Sequence, residues 1–217
     1  MSVLELHQGE MRYDLRGQQI IALAQSSLCV EQEEFIVVRG VSGAGKTTLL
    51  SILGGMLRPT QGTVRLGDVE LTGLNPAGRA RVRQTSIGFV FQGMHLLPYL
   101  DLLENTRLAG GTEQHARLLL GQLGLGSRLH HRPAQLSAGE RQRGAVARAL
   151  VHGPEIVLAD EPTGNLDPES ARLVQSAFES FCTGGGCLVM ATHSQQSLPV
   201  SRILHLGPDG LHPIDAQ

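Results

Sequence analysis

From Glu34 to Pro59 the chain leaves few folds open. The apolar run EFIVVR ends at Arg39, GVSGAGKTT follows, and LLSILGGML comes next. The first run reads as a buried strand and the last as a helix ending near Arg58-Pro59. Between them, Gly40-Val41-Ser42-Gly43-Ala44-Gly45-Lys46-Thr47 fits G-x-x-x-x-G-K-[ST] in the strand-to-helix setting that this pattern requires. Glycines let the backbone fold tightly, so that successive N–H groups converge on an anion, and the next helix aims its positive end at the same point. Lys46 is expected to reach the β and γ phosphates of a nucleotide, and the Thr47 hydroxyl to ligate Mg²⁺, with Thr48 continuing the cradle. The competing reading is a glycine-rich turn that binds nothing.

A second strand pattern, Ile156–Ala159, ends in Asp160-Glu161-Pro162. Ligands of open α/β sheets bind at the C-terminal strand edge, so these carboxylates are expected to face the cradle. Asp160 is placed to hold the Mg²⁺ shell, and Glu161 to accept a hydrogen bond from an attacking water. Phosphoryl transfer needs positioning and charge more than covalent help. Alone, the pair could be an exposed acidic turn.

The remaining patterns set the architecture. Residues 1–39 read as short strands, 61–71 as a small hairpin turning at Gly67-Asp68, and SIGFVFQ (86–92) as a strand. Residues 99–135 have helical, Leu-rich spacing, and a third helix is expected to begin after LSAGE and run to about Leu150. CLVMATH matches EIVLADE as a central parallel strand. The tail RILHLGPDGLHPI reads as a hairpin turning at Pro208–Gly210. The sum is one α/β domain over 1–217: a P-loop (RecA-like) core with an N-terminal antiparallel β lobe, about 1–92 and 151–217, and a short helical subdomain, about 93–150.

Composition narrows the class. Hydrophobic residues make up 41% and charged residues 18%, which suits a globular chain and not a disordered one. A formal charge of −2 with no basic run disfavours nucleic acid as the main partner. No apolar run approaches the roughly 20 residues needed to cross a bilayer; the longest, Ile20–Ala24, is far shorter. No signal peptide is read at the start. Cys29, Cys182 and Cys187 form no CxxC pair and are read as reduced, partly buried thiols. His130-His131 is read as surface, and the stripe LLLGQLGL as core.

At Leu136-Ser137-Ala138-Gly139-Glu140 the pattern becomes more specific. It resembles the signature of ABC-type ATPases, LSGGQ in its commonest form, and RQRGAVARAL resembles the helix that trails it. Other pieces fall in the family's order. Gln92 resembles the Q-loop glutamine, Asn165-Leu166-Asp167 the D-loop, His193 the switch histidine and Tyr13 the adenine-stacking aromatic. Blander readings stand beside these: Tyr13 covering a sheet edge, Gln92 capping a strand, His193 satisfied at a strand end, and Asp167 capping the helix from Pro168.

The resemblance implies an ATP hydrolase using ATP and Mg²⁺. Glu161, His193 and Gln92 would serve catalysis, and Thr47, Gln92 and Asp160 would hold the metal. It implies a homodimer in the ATP-bound state, in which Ser137 and Gly139 of one copy, flanked by Glu140 and Asp167, close on ATP held by the other. It also implies integral membrane permease subunits as partners and a cytoplasmic location on the inner face of the membrane. IGFVFQGMHLLPYLDLLEN and DEPTGNLD resemble the branch that powers lipoprotein release and macrolide export. A cell-division-type signalling ATPase and the ATPase of a conventional importer are the alternatives. Residues 93–135 leave no room for the long coiled coil of chromosome-type members. Ala138 and Glu140 depart from the signature; Ala138 is tolerable only if its φ stays negative. Arg39 stands where an apolar residue is usual, and Glu33 where the family tends to have a turn glycine.

Overall fold

The computed structural model describes residues 2–164, 166–193 and 200–214. Strands β1 (Ser2–Leu15) and β2 (Gln18–Glu31) form an antiparallel hairpin. Expected as short pieces, they are fourteen residues each and continuous, because register shifts between Ser2 and Arg12 absorb the twist that would otherwise break them. The turn that leads into β3 (Phe35–Arg39) holds Glu33 at φ +64°, the conformation a glycine would take without strain.

Helix α1 runs over Lys46–Leu53, shorter than the sequence suggests. Gly54 and Gly55 end it, and the Met56 and Leu57 amides fold back onto the Ser51 carbonyl. A Cβ on Gly54 would fall 2.0 Å from the Phe89 ring, so glycine is what lets this end of α1 lie against the sheet. Strands β4 (Gln61–Leu66) and β5 (Val69–Glu70) make the expected small hairpin and add to β1, giving a sheet of order β2-β1-β4-β5.

Helix α2 (Pro76–Ser86) was absent from the expected elements. It buries no residue and therefore has no apolar stripe to betray it; Asn75 as N-cap and Pro76 in the first turn were its only signals. Strand β6 is Ile87–Val90, ending two residues before Gln92 rather than at it. Helices α3 (Leu102–Arg107), α4 (Glu113–Gln122) and α5 (Ala138–Leu150) pack on one another. α5 starts inside LSAGE, not after it: Ser137 is the N-cap, and Ala138, Gly139 and Glu140 form the first turn. Ala138 accordingly has helical backbone, and the methyl is accommodated.

Strand β7 (Ile156–Asp160), helix α6 (Pro168–Thr183), strand β8 (Cys187–Thr192) and the terminal hairpin β9 (Arg202–Gly207) and β10 (Gly210–Pro213) complete the chain. The second sheet has order β10-β9-β3-β8-β7-β6, parallel except for β10. Every residue of β7 and β8 is buried, as a strand covered on both faces requires. Alternation divides β3: Ile36 and Val38 join the core under α1 and the β lobe, while Phe35 and Val37 join the core with α4, α5 and α6.

All three cysteines are free, but Cys29 is exposed, against the expectation of partial burial. Burial pushes the Cys182 and Cys187 thiols up to about 11 and about 12, so they stay protonated and inert at neutral pH. His130 is exposed as expected while His131 is half-buried, and Leu119, Leu120, Leu123 and Leu125 of the Leu-rich stripe are core, with Leu118 outside it.

The loop between β6 and α3 is tied down by one buried amide. Asn105 Oδ1 accepts from the Leu97 N–H at 2.7 Å, and Nδ2 faces the carbonyls of Leu97, Leu100 and Asp101 at 2.9–3.1 Å. Asn105→Ala would leave the Leu97 N–H and the Leu100 carbonyl without this partner, and a loss of about 1–3 kcal/mol is expected in urea denaturation. A loss below about 0.5 kcal/mol, the range of neutral surface changes, would contradict the role given to this amide.

Candidate nucleotide site

Helix α1 begins at Gly45, which sits in left-handed backbone (φ +96°) and supplies no side-chain cap. The first-turn amides therefore face outward from the end of β3 with their positive partial charge unscreened by a capping oxygen. Two glycines of the loop answer to steric contacts. A Cβ on Gly45 would lie 2.2 Å from the Ala22 carbonyl oxygen, and one on Gly40 would lie 2.7 Å from the Leu206 carbonyl oxygen. Gly43 answers to conformation alone, at φ +82° with open space around it.

The loop forms one wall of a cleft of about 600 Å³. Ser42, Gly43, Gly45, Lys46, Thr47 and Thr48 line it, opposite Gln92, Asp160, Glu161 and His193. Gly40, Val41 and Ala44 stand outside the lining and shape the turn: the Ala44 N–H donates to the Val41 carbonyl, and the Val41 side chain is exposed. Lys46, largely buried, donates through Nζ to the carbonyls of Gly40 at 2.8 Å and Val41 at 3.1 Å, which fixes the ammonium at the loop's own mouth.

The C-terminal edge of β7 supplies the facing groups. Asp160, 7% exposed, accepts through Oδ2 from the Thr47 hydroxyl at 2.6 Å. Threonine and aspartate, 113 positions apart, thus meet at the base of the cleft. Their hard oxygens, with the Gln92 amide on the same wall, fit Mg²⁺ completing its shell with phosphate oxygens and water. Among the described residues no group of three or more His, Cys, Asp or Glu could hold a metal by itself.

Glu161 takes φ +48°, and its N–H donates to the Ala191 carbonyl at 2.9 Å, so the chain turns sharply while still paired to β8. Its carboxylate is held from the end of β8. Oε1 accepts from the His193 N–H at 2.8 Å and faces Nδ1 at 2.7 Å, and Oε2 accepts from the Thr192 hydroxyl at 3.0 Å. The Nδ1 contact to a carboxylate places the ring hydrogen on that nitrogen. Glu161 is nearly covered, whereas the His193 ring is mostly exposed.

The other expected residues lie elsewhere. Tyr13, 41% exposed, sits opposite Ile20 in the hairpin and is not in the cleft wall; Ile20, Ile21 and Ala22 are. Ser137, the N-cap of α5, and Gly139 and Glu140 on its first turn lie outside the cleft lining. There the Ser137 hydroxyl accepts from the Glu140 N–H, and Glu140 accepts from the Ser137 N–H and pairs with Arg128. The Ser137 N–H, with Arg128 second, holds the Glu140 carboxyl below its usual range. Asp167 caps α6, accepting from the Glu169 and Ser170 N–H groups, and its bonds to Ser170 lower its pKa. Asn165, read with it, lies outside the described residues.

Sequence reasoning missed Thr192 and the aliphatic wall. Thr192 carries no residue-type signal; only the β7–β8 register brings it to Glu161. Ile20–Ala22 looked like ordinary strand.

Known proteins resemble this chain in sequence and fold. Residues 23–164 match the family model described as ABC transporter. An uncharacterized ABC transporter ATP-binding protein of Thermotoga maritima is 43% identical over 200 residues, covering 88% of this chain and 86% of that protein. The lipoprotein-releasing system ATP-binding protein LolD of Pseudomonas fluorescens is 40% identical over 204 residues, covering 89% and 90%. The macrolide export ATP-binding/permease protein MacB of Rhodospirillum rubrum is 40% identical over 201 residues; the match covers 89% of this chain but only 31% of MacB. A solved dimeric structure of the ATP-binding cassette MJ0796, in a post-hydrolysis state bound to ADP and Pi, superposes with a TM-score of 0.91 at 30% identity, covering 99% of this chain and 100% of that one.

The Gly45 contact gives a direct test. Gly45→Ala combines left-handed backbone with an overlap on the Ala22 carbonyl, so a loss of at least about 1–3 kcal/mol in stability is expected, together with loss of ATP retention in equilibrium binding. Wild-type melting and affinity in that variant would contradict the close approach.

Proposed function

The chain belongs to the ABC transporter family and hydrolyses ATP, and we propose that it does so as the ATPase subunit of a membrane complex, coupling closure of a cassette dimer to a permease. One observation carries the reading: Lys46, Thr47, Asp160 and Glu161, from two distant segments, meet in a single cleft at the C-terminal edge of a parallel sheet.

In this reading the uncapped amides of α1 and the Lys46 ammonium hold the β and γ phosphates, exchanging the loop carbonyls for phosphate oxygens. Thr47, Asp160 and Gln92 hold Mg²⁺, which when bound neutralises charge building on the phosphates. Glu161 orients the attacking water. Its carboxylate is already fixed by Thr192 and the His193 main chain, so little reorganisation is needed at the moment of reaction. His193, exposed at the cleft rim, steadies Glu161 and reaches the γ-phosphate side. The Ile20–Ala22 wall, with Tyr13 beside it across the hairpin, bounds the nucleoside end.

Ser137 and Gly139 contribute from a second copy. They stand at the N-terminus of α5, outside the cleft lining of their own chain, and would meet a γ-phosphate held by a facing copy. Asp167 lies on the same rim. ATP supplies contacts that favour the closed dimer, and hydrolysis removes them. The dimeric MJ0796 cassette supports this arrangement. A groove of about 460 Å³ beside the Gln92 loop, bounded by Phe89, Phe91, Leu97 and Arg148, is the place for a permease segment. No helix among the described residues is long and apolar enough to cross a membrane, so attachment to its cytoplasmic face would come through that partner. The resemblance to LolD and MacB favours the lipoprotein-release and macrolide-export branch.

Glu161→Gln keeps the shape of the cleft and removes the charge that orients water. Turnover is expected to fall by at least about 10²–10³-fold with ATP affinity retained, and light scattering in Mg·ATP should show a trapped dimer. Undiminished turnover would refute the role of Glu161, and a monomer under saturating ATP would refute the shared site.

A further inference from the structure

The segment after β6 makes an unusual turn. Met94 and His95, neither of them glycine, occupy left-handed backbone in succession, at φ +56° and +47°. L residues visit this region singly and at a cost; two in a row persist only where the surroundings impose them. Local bonds close the turn, from the Met94 N–H to the Phe91 carbonyl and from the His95 N–H to the Gly93 carbonyl. The His95 ring meets Phe91 edge-on, with centroids 5.3 Å apart.

One side chain from outside the loop holds the turn. Arg148, on the last turn of α5, donates through Nη2 to the Met94 carbonyl at 2.8 Å and through Nη1 to the His95 carbonyl at 2.6 Å. A planar guanidinium fork can satisfy two adjacent carbonyls at once in a way an ammonium cannot. Burial makes these contacts drier and lowers the Arg148 pKa without discharging it. Gln92 stands two residues before this turn and lines the nucleotide cleft. The same helix meets the loop a second time: Gln142, buried and with its amide nitrogen unpartnered among the described residues, borders a small cavity with Gln92, Met94 and Glu161.

We infer that Arg148 is a positioning residue for ATP hydrolysis: by gripping the Met94 and His95 carbonyls it holds the strained turn and so sets where Gln92 stands at the cleft wall. The inference rests on the metal and water role proposed for Gln92. If either left-handed residue relaxes, the chain on its N-terminal side rotates and Gln92 swings with it. Because Arg148 rides on α5, the helix that begins at Ser137, the grip also ties the signature end of the molecule to the cleft.

The test uses the full chain and two readouts. Arg148→Lys keeps the charge and the stem but loses the fork, and Arg148→Ala loses both. In each, amide exchange over residues 91–97 should quicken at least about tenfold while the α5 core stays protected. The kcat for ATP should fall by about 10- to 100-fold, with KM within about threefold, as misplacement of a positioned group predicts. In a Gln92→Ala background the Arg148→Lys change should cause no further fall, since both act through one side chain. Unchanged exchange would overturn the grip. Losses that multiply, or a loss confined to KM, would overturn the route through Gln92. Wild-type kcat in Gln92→Ala alone would refute the Gln92 role and leave Arg148 nothing to position, an outcome distinguished from failure of the grip by the exchange data.

Discussion

Helix α1 starts without a side-chain cap, and the arrangement around it follows from the positive end this leaves. An uncapped helix terminus has orphan donors that water or a ligand must satisfy. Here Gly45 occupies the capping position because the Ala22 carbonyl passes too close for any side chain. The β lobe is thus pressed against the loop from one side while β3 delivers it from the other. A patch of concentrated main-chain donors results, with Lys46 adding a full charge beside it. Everything of opposite sign in the cleft, Asp160 and Glu161, is carried at the C-terminal end of β7, next but one to β3 in the sheet.

That relation is a matter of sheet order. β3 and β7 flank β8, so the loop after β3 and the carboxylates after β7 rise from the same edge with β8 between them. β8 then fixes Glu161 through Thr192 and the His193 main chain. The positive φ of Glu161 is the local cost of turning the chain while keeping its N–H paired to Ala191. The carboxylate is left pinned, which suits the orienting role proposed for it.

Much of this was legible in the residues. Glycines at Gly40, Gly43 and Gly45 signalled backbone demands that the fold makes at each position, and the apolar run before Asp160 placed that carboxylate at a strand end. What stayed hidden is instructive. Helix α2 buries no residue and lays Val82 against the core, so periodicity had little to detect. The end of α1 is set by Gly54 meeting Phe89, a contact between segments 35 positions apart that no local pattern encodes. Ile20–Ala22 read as strand because it is strand; its part in the cleft comes from how the hairpin folds over the loop. Met94 and His95 gave no warning of left-handed backbone, since their conformation is imposed by Arg148 and not by residue type. Ser137, by contrast, lies outside the cleft lining of its own chain, in keeping with the expectation from the resemblance that it serves a second copy.

Equilibrium binding of ATP, with and without Mg²⁺, tests the central claim most directly. The account predicts one nucleotide held per chain, with affinity lowered when Mg²⁺ is withdrawn and lost when Lys46 is replaced by alanine. A chain that retains no nucleotide, or one whose affinity is indifferent to both Mg²⁺ and Lys46, would contradict it.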